Sequence, residues 1–217
     1  MDASPTLPVT ALAAAEAPPP FTHAQIKRVL WGVVVCMLLA AIDQSVVVPA
    51  MPAIASDLHG FDHLAWIVSA YLITATSSMP IFGKLSDLYG RRALLLPAIV
   101  LFVTASALCA LSQSLFQLIA FRALQGIGGG GLMSMAQATI ADVVAPRERG
   151  RYQAYMASTW ATASVSGPVI GGWITDTLNW HWLFYINLLP GLAVTLSIPF
   201  LVDIDKPDHA LLKKADY

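Results

Sequence analysis

Two residues stand where ionisable groups are costly. Asp43 and Arg122 each lie inside a long run of Ala, Val, Leu, Ile and Gly. If those runs cross a bilayer, a charge near its centre costs about 2.5–3.5 kcal/mol on insertion scales. Such residues face the interior of a bundle or a water-filled cavity, and they mark proton and substrate paths. Burial disfavours an ionised carboxylate, and a neighbouring arginine favours it. An Asp held between those effects can take up and release a proton. The competing reading is a buried ion pair that holds two helices together. Asp43 lies 15 residues past Arg28, about 22 Å along a helix, and Arg122 lies about 12 Å in from the opposite face. The two are therefore expected at similar depth, facing one cavity without needing to touch.

Other chemistry is absent from the chain. The glycine-rich run 126–131 matches G-x-G-x-x-G, but a dinucleotide site needs a preceding strand and an acidic residue about 20 positions on. Gly126 and Gly130 instead form a GxxxG spacing, which with Gln125 reads as helix packing. Gly83-Lys84-Leu85-Ser86 is not a phosphate loop, none of the five His has HExxH spacing, and there is no GxSxG. No catalytic residue, metal site or cofactor is expected. Cys36 and Cys109 sit in apolar runs without a CxxC, as buried thiols do. A net charge of −1 gives no basic footprint for a nucleic-acid partner.

The elements that position Asp43 and Arg122 follow from composition. The chain is 57% hydrophobic and only 12% charged, where about one quarter charged is usual for soluble domains. A helix that crosses the hydrocarbon core needs about 20 mostly apolar residues. Six stretches qualify, at 29–49, 64–82, 93–111, 115–141, 152–174 and 182–202. Eleven of the twelve Lys and Arg lie before the first, between the second and third, between the fourth and fifth, or after the sixth. The remaining connectors have Asp57, Asp62, Asp176 and His but no basic residue. Short loops rich in Lys and Arg stay cytoplasmic, so the lipid bilayer is the solvent and both ends are cytoplasmic. The Ala- and Pro-rich residues 1–26 read as a disordered cytoplasmic tail, 27–202 as a six-helix bundle and 203–217 as a cytoplasmic connector. Within the fifth stretch, Gly167, Pro168, Gly171 and Gly172 predict a kinked, closely packed helix with a pliable outer end.

Several motifs, in order, resemble the major facilitator superfamily. Gly83-Lys-Leu-Ser-Asp87-Leu-Tyr-Gly90-Arg91-Arg92 resembles its cytoplasmic signature between spans two and three, with Leu88 where a basic residue is usual. Arg122-Ala-Leu-Gln125-Gly126 resembles the span-four signature, in which the Arg is linked to proton transfer. Gly167-Pro168-Val-Ile-Gly171-Gly172 resembles the span-five signature of antiporters, with Ala163 where a further Gly is frequent. Asp43-Gln-Ser-Val-Val-Val-Pro-Ala-Met-Pro52 and Asn179-Trp-His-Trp-Leu-Phe-Tyr-Ile-Asn187 are similar to signatures of the fourteen-helix drug:proton antiporters.

The resemblance implies an all-α amino-terminal bundle of six transmembrane helices, arranged as a three-plus-three inverted repeat. It implies proton-coupled export of drugs or other amphipathic or cationic small molecules, powered by the proton gradient without a cofactor, in the plasma membrane. Asp43 and Arg122 would serve coupling or substrate binding. Gly83, Asp87, Gly90, Arg91 and Arg92 would form a cytoplasmic gating loop, and Gly167 to Gly172 would let span five bend and seal. The chain is expected to lack a carboxy-terminal half that begins near Asp216-Tyr217, and to be inactive alone. The alternatives are a lipid, siderophore or metabolite exporter of the same fold, or a non-transporting membrane protein that needs a partner half.

Overall fold

Apolar segments without water must satisfy their backbone polar groups internally, and a helix does this within one segment. The computed structural model describes residues 23–144 and 147–197, and they are helical nearly throughout. The helices are α1, His23–Leu58; α2, Ala65–Tyr89; α3, Arg91–Ala110; α4, Leu115–Val143; α5, Arg149–Thr177; α6, Trp182–Tyr185; and α7, Leu188–Ser197. A single 3-10 turn, Phe61–His63, joins α1 to α2. No strand occurs among the described residues, and the all-α bundle expected from the sequence is what forms.

Boundaries differ in three places. First, α1 is helical from His23, so the last residues of the expected tail join it, while 1–22 lie outside the described residues, as do 198–217 with the expected connector. Second, α1 runs through Pro49 and Pro52 to Leu58, where the sequence suggested a connector from residue 51. Each proline removes one backbone hydrogen bond. Ala50, Ile54 and Ala55 are fully buried beyond it, and Trp180 Nε1 donates to Asp57 Oδ2 at 2.9 Å, so packing holds the extra turns. Third, the sixth stretch divides into α6 and α7. Pro190 has no N–H to bond the Ile186 carbonyl, and the helix is interrupted by a turn at Ile186 and Asn187.

By length and hydropathy, Trp31–Leu58, Phe61–Tyr89 and Arg91–Ala110 can each cross a membrane. α4 and α5 have 29 residues each, about 44 Å, but small and polar residues dilute their hydropathy. In α5 the hydroxyls of Thr159, Thr162, Ser166 and Thr175 donate to the carbonyl four residues back. Those polar groups are thereby satisfied inside the helix.

α4 lies between α2 and α3, and α1 packs mainly on α5. Exchange of the first three spans with the second three maps the α1–α5 pair onto the α4–α2 pair, as a three-plus-three repeat requires. Glycines make the approach possible. A Cβ at Gly126 or Gly130 would run into the backbone of α2 at Tyr71 or Ala75, and one at Gly128 would lie 2.6 Å from the Phe102 nitrogen on α3. The apolar core has two parts. One gathers residues such as Met37, Phe102 and Ile140; the other gathers Val47, Leu118 and Phe184. A polar layer lies at the junction.

Candidate functional site

That layer is built from four segments. Asp43 comes from α1, Ser106 from α3, Arg122 and Gln125 from α4, and Asn187 from the break between α6 and α7. Asp43 is 0% and Arg122 1% exposed. Arg122 Nη1 donates to Asp43 Oδ2 at 2.6 Å and to Gln125 Oε1 at 2.8 Å. Gln125 Nε2 and Asn187 Nδ2 donate to Asp43 Oδ1 at 2.9 and 2.6 Å. Asn187 Nδ2 also reaches Ser106 Oγ at 3.1 Å, and Ser106 donates to the Phe184 carbonyl at 2.9 Å. Arg122 Nε donates to the Ile67 carbonyl at 3.4 Å. Its guanidinium carbon lies 4.4 Å from the Tyr71 ring centre and 5.8 Å from that of Phe184.

Local geometry explains the convergence. Arg122 and Gln125 are three residues apart, and such residues share a helix face. The glycines of α4 bring it close to α2, so Tyr71 reaches the guanidinium. Gly167 and Gly171 let α5 lie directly on α1 at Ser45 and Val46, next to Asp43. Pro168 faces outward, Gly172 faces open space, and α5 continues unbroken past both. The expectation that Asp43 and Arg122 share a depth is met, and they are in direct contact rather than merely near one cavity.

A cleft of about 260 Å³ opens beside this layer, lined by residues of α1, α2, α4 and α5 that include Gln44, Tyr71, Met133 and Trp160. The ion pair is sealed beneath it.

A second cluster lies at the basic end of the bundle. α2 and α3 are joined by Gly90 alone, at φ 93°, a backbone region that glycine enters freely. Arg91 then sits at the start of α3, where it bonds Asp87 at 2.6 Å on α2, Asp142 at 2.8 Å on α4, and Ser86. Arg92 is partly buried beside it. Gly83 is inside α2, where an added Cβ would meet Ser134 Oγ of α4 at 3.4 Å, ordinary contact distance. The expected gating loop is thus a helix end, a one-residue turn and a helix start. At the opposite end, His181 stacks on Trp180 at 3.7 Å. Burial lowers the His181 pKa, and Asp57 opposes that shift.

Sequence reading missed several members of these clusters. Gln125 reads as packing beside the glycines, although its spacing from Arg122 places it on the same face. Asn187 carried a signal, an amide inside an apolar run. Asp142 follows a span and precedes a basic loop. Ser106 and Tyr71 carried none, because one hydroxyl among apolar residues does not reveal its neighbours.

The profile described as Major Facilitator Superfamily matches residues 33–216. The multidrug transporter protein MdtP of Bacillus subtilis (strain 168) is 44% identical over 176 residues, 80% of this chain and 32% of that one. Multidrug resistance protein 3 of the same organism is 41% identical over 180 residues, 83% of this chain and 35% of that one. The MFS-type efflux pump LUC4 of Fusarium sp is 38% identical, over 84% of this chain and 32% of that one. The chain therefore spans about a third of the length of these relatives. Among solved structures, the human organic anion transporter MFSD10 superposes with TM-score 0.65 at 22% identity, over 86% of this chain and 48% of that one. The proton:xylose symporter XylE superposes with TM-score 0.71 at 16% identity, over 83% of this chain and 45% of that one. At those identities the superpositions concern the fold.

Proposed function

The chain belongs to the Major Facilitator Superfamily of membrane transporters, and on that premise we propose that the protein exports drugs or other amphipathic small molecules in exchange for protons. The observation that carries the reading is the fully buried Asp43–Arg122 pair at the junction of two apolar clusters. Structural needs alone favour apolar packing there, since a buried pair is weak support for stability. A carboxylate bonded directly to Arg122 in a dry layer between helices ties any exchange at that site to helix movement.

In this reading Asp43 carries the proton. Arg122, Gln125 and Asn187 hold the carboxylate in place between exchanges. Arg91, Asp87 and Asp142 close the cytoplasmic end by tying α2, α3 and α4 together. Gly167 and Gly171 let α5 slide on α1 as the pair opens. The reading concerns the whole protein in a plasma membrane, with further helices that complete the path. The relatives named as multidrug transporters and efflux pumps support it.

The test uses everted membrane vesicles that contain the protein at its natural length. An imposed pH gradient is expected to drive ethidium accumulation, and added ethidium to dissipate the gradient. Asp43→Glu retains both effects, and Asp43→Asn loses both while still inserting. Coupling that persists in Asp43→Asn overturns the assignment.

A further inference from the structure

The buried pair lies nearer to one end of the bundle than to the other. Arg122 is seven residues from the start of α4 at Leu115 and 21 from its end at Val143, about 10 Å against about 32 Å along the helix. On α1, Asp43 is 15 residues from Leu58 and 20 from His23. The shorter way out therefore leads to the end that carries Asp57. It is closed by the apolar cluster that includes Val47, Ile54, Leu118, Leu183 and Phe184.

One part of that seal differs from the rest. Helices α1 to α5 supply most of the cluster, and they have 20 to 36 residues. Leu183 and Phe184 come from α6, which has four and a turn on each side. A single helical turn has no stability of its own, so tertiary contacts hold it. Leu183 and Phe184 are fully buried, whereas Trp182 and Ile186, which share the other face, are 49% and 38% exposed. Three side-chain hydrogen bonds pin the segment. At its start, Trp180 Nε1 donates to Asp57 Oδ2 at 2.9 Å. In its middle, Ser106 Oγ donates to the Phe184 carbonyl at 2.9 Å. At its end, Asn187 Nδ2 donates to Asp43 Oδ1 at 2.6 Å. One end is thus tied near the surface and the other to the pair itself. A short element held by few bonds opens locally before the long helices around it do.

We propose that α6 is a removable plug, which seals the Asp43–Arg122 pair from the Asp57 end and whose displacement opens the route by which water and protons reach the carboxylate. Asn187 makes the plug responsive. It holds Asp43 Oδ1, so movement of Asp43 away from Arg122 also loosens the seat of α6. The use of the route by protons rests on the export reading, and the seal itself does not.

The two native thiols can read the seal. Cys109 belongs to the cluster that α6 completes, and its Sγ lies 3.7 Å from Gln125 Oε1 in the polar layer. Cys36 belongs to the cluster on the far side of the pair. The natural-length protein, with any other thiols replaced by serine, is treated on intact cells with a membrane-impermeant methanethiosulfonate. Peptide masses then time the modification of each cysteine. In the wild-type protein Cys109 is expected to react slowly and Cys36 more slowly still. Trp180→Phe keeps a ring in the cluster but removes the N–H that reaches Asp57. Ser106→Ala removes the donor to the Phe184 carbonyl. Neither variant removes a bond between Asp43 and Arg122. Each is expected to speed modification of Cys109 about three- to tenfold, the scale of one hydrogen bond, and to leave Cys36 unchanged. An unchanged rate at Cys109 in either variant overturns the proposal. So do equal gains at both cysteines, which would mean that the whole bundle loosens, and access to Cys109 only after permeabilisation. The readout needs no transport, so a failure of proton coupling appears only in the driven vesicles and is distinct from a failure of the plug.

Discussion

Neutralising Asp43 while Arg122 remains leaves a guanidinium without a counter-charge in a dry interior, its other acceptors being Gln125 Oε1 and the Ile67 carbonyl. Removal of one partner of a buried pair costs about 3–5 kcal/mol, whereas replacement of both by neutral groups is often neutral or stabilising. Asp43→Asn is therefore expected to lower stability by about that amount. Arg122→Gln is expected to do the same, because it strands the carboxylate. The double variant should recover most of the loss, giving a coupling energy of several kcal/mol in a double-mutant cycle. Thermal unfolding in detergent reads the cycle, and strictly additive losses would contradict a direct pair. The same arithmetic separates stability from coupling: the double variant should be stable and unable to exchange protons.

At the scale of the elements, the small residues decide which helices can meet. Gly128 approaches α3 so closely that a Cβ would sit 2.6 Å from the Phe102 nitrogen and 2.9 Å from the Ala98 carbonyl oxygen. These are backbone atoms that cannot swing aside. Gly128→Ala is expected to cost about 1–3 kcal/mol as overpacking. Gly172 has no atom within 4 Å of an added Cβ, so Gly172→Ala should be neutral or gain about 0.5–1 kcal/mol from helix propensity. Melting temperatures of the two variants test the contrast, and equal effects would mean that α4 does not press on α3 as described. The contrast also separates glycines that share a motif: Gly167 and Gly171 are closely packed, and their neighbour Gly172 is not.

For the whole molecule, the segregation of basic residues predicts orientation. Arg91, Arg147, Arg149 and Arg151 lie at one end, and Asp57, Asp62 and Asp176 at the other. The native Cys36 and Cys109 are buried, so an impermeant maleimide meets little background. Gln113→Cys, exposed in the connector just before α4, is expected to react on intact cells. Glu148→Cys, exposed before α5, is expected to react only after permeabilisation. The reverse pattern would invert the topology and place the Arg91 cluster outside. The stripe of Val165, Val169 and Trp173, 75%, 70% and 64% exposed, recurs at four-residue spacing on α5 and faces away from the bundle, toward lipid or further helices.

By itself the sequence determined the helical class, the number of apolar stretches, the end that carries the basic residues and the two charges that had to be explained. These follow from composition and period, which need no knowledge of neighbours. It placed Asp43 and Arg122 at one depth because helix rise is fixed, and it marked Gly126 and Gly130 for packing because small residues at that spacing have one common use. Only the tertiary structure decided that the two charges bond directly, that Gln125 and Asn187 complete the carboxylate's partners, that Asp142 engages Arg91, and that the Tyr71 ring packs on the Arg122 guanidinium. Those relations join residues up to 144 positions apart. They depend on which helix faces meet, and that choice rests on packing summed over the whole bundle rather than on any local pattern.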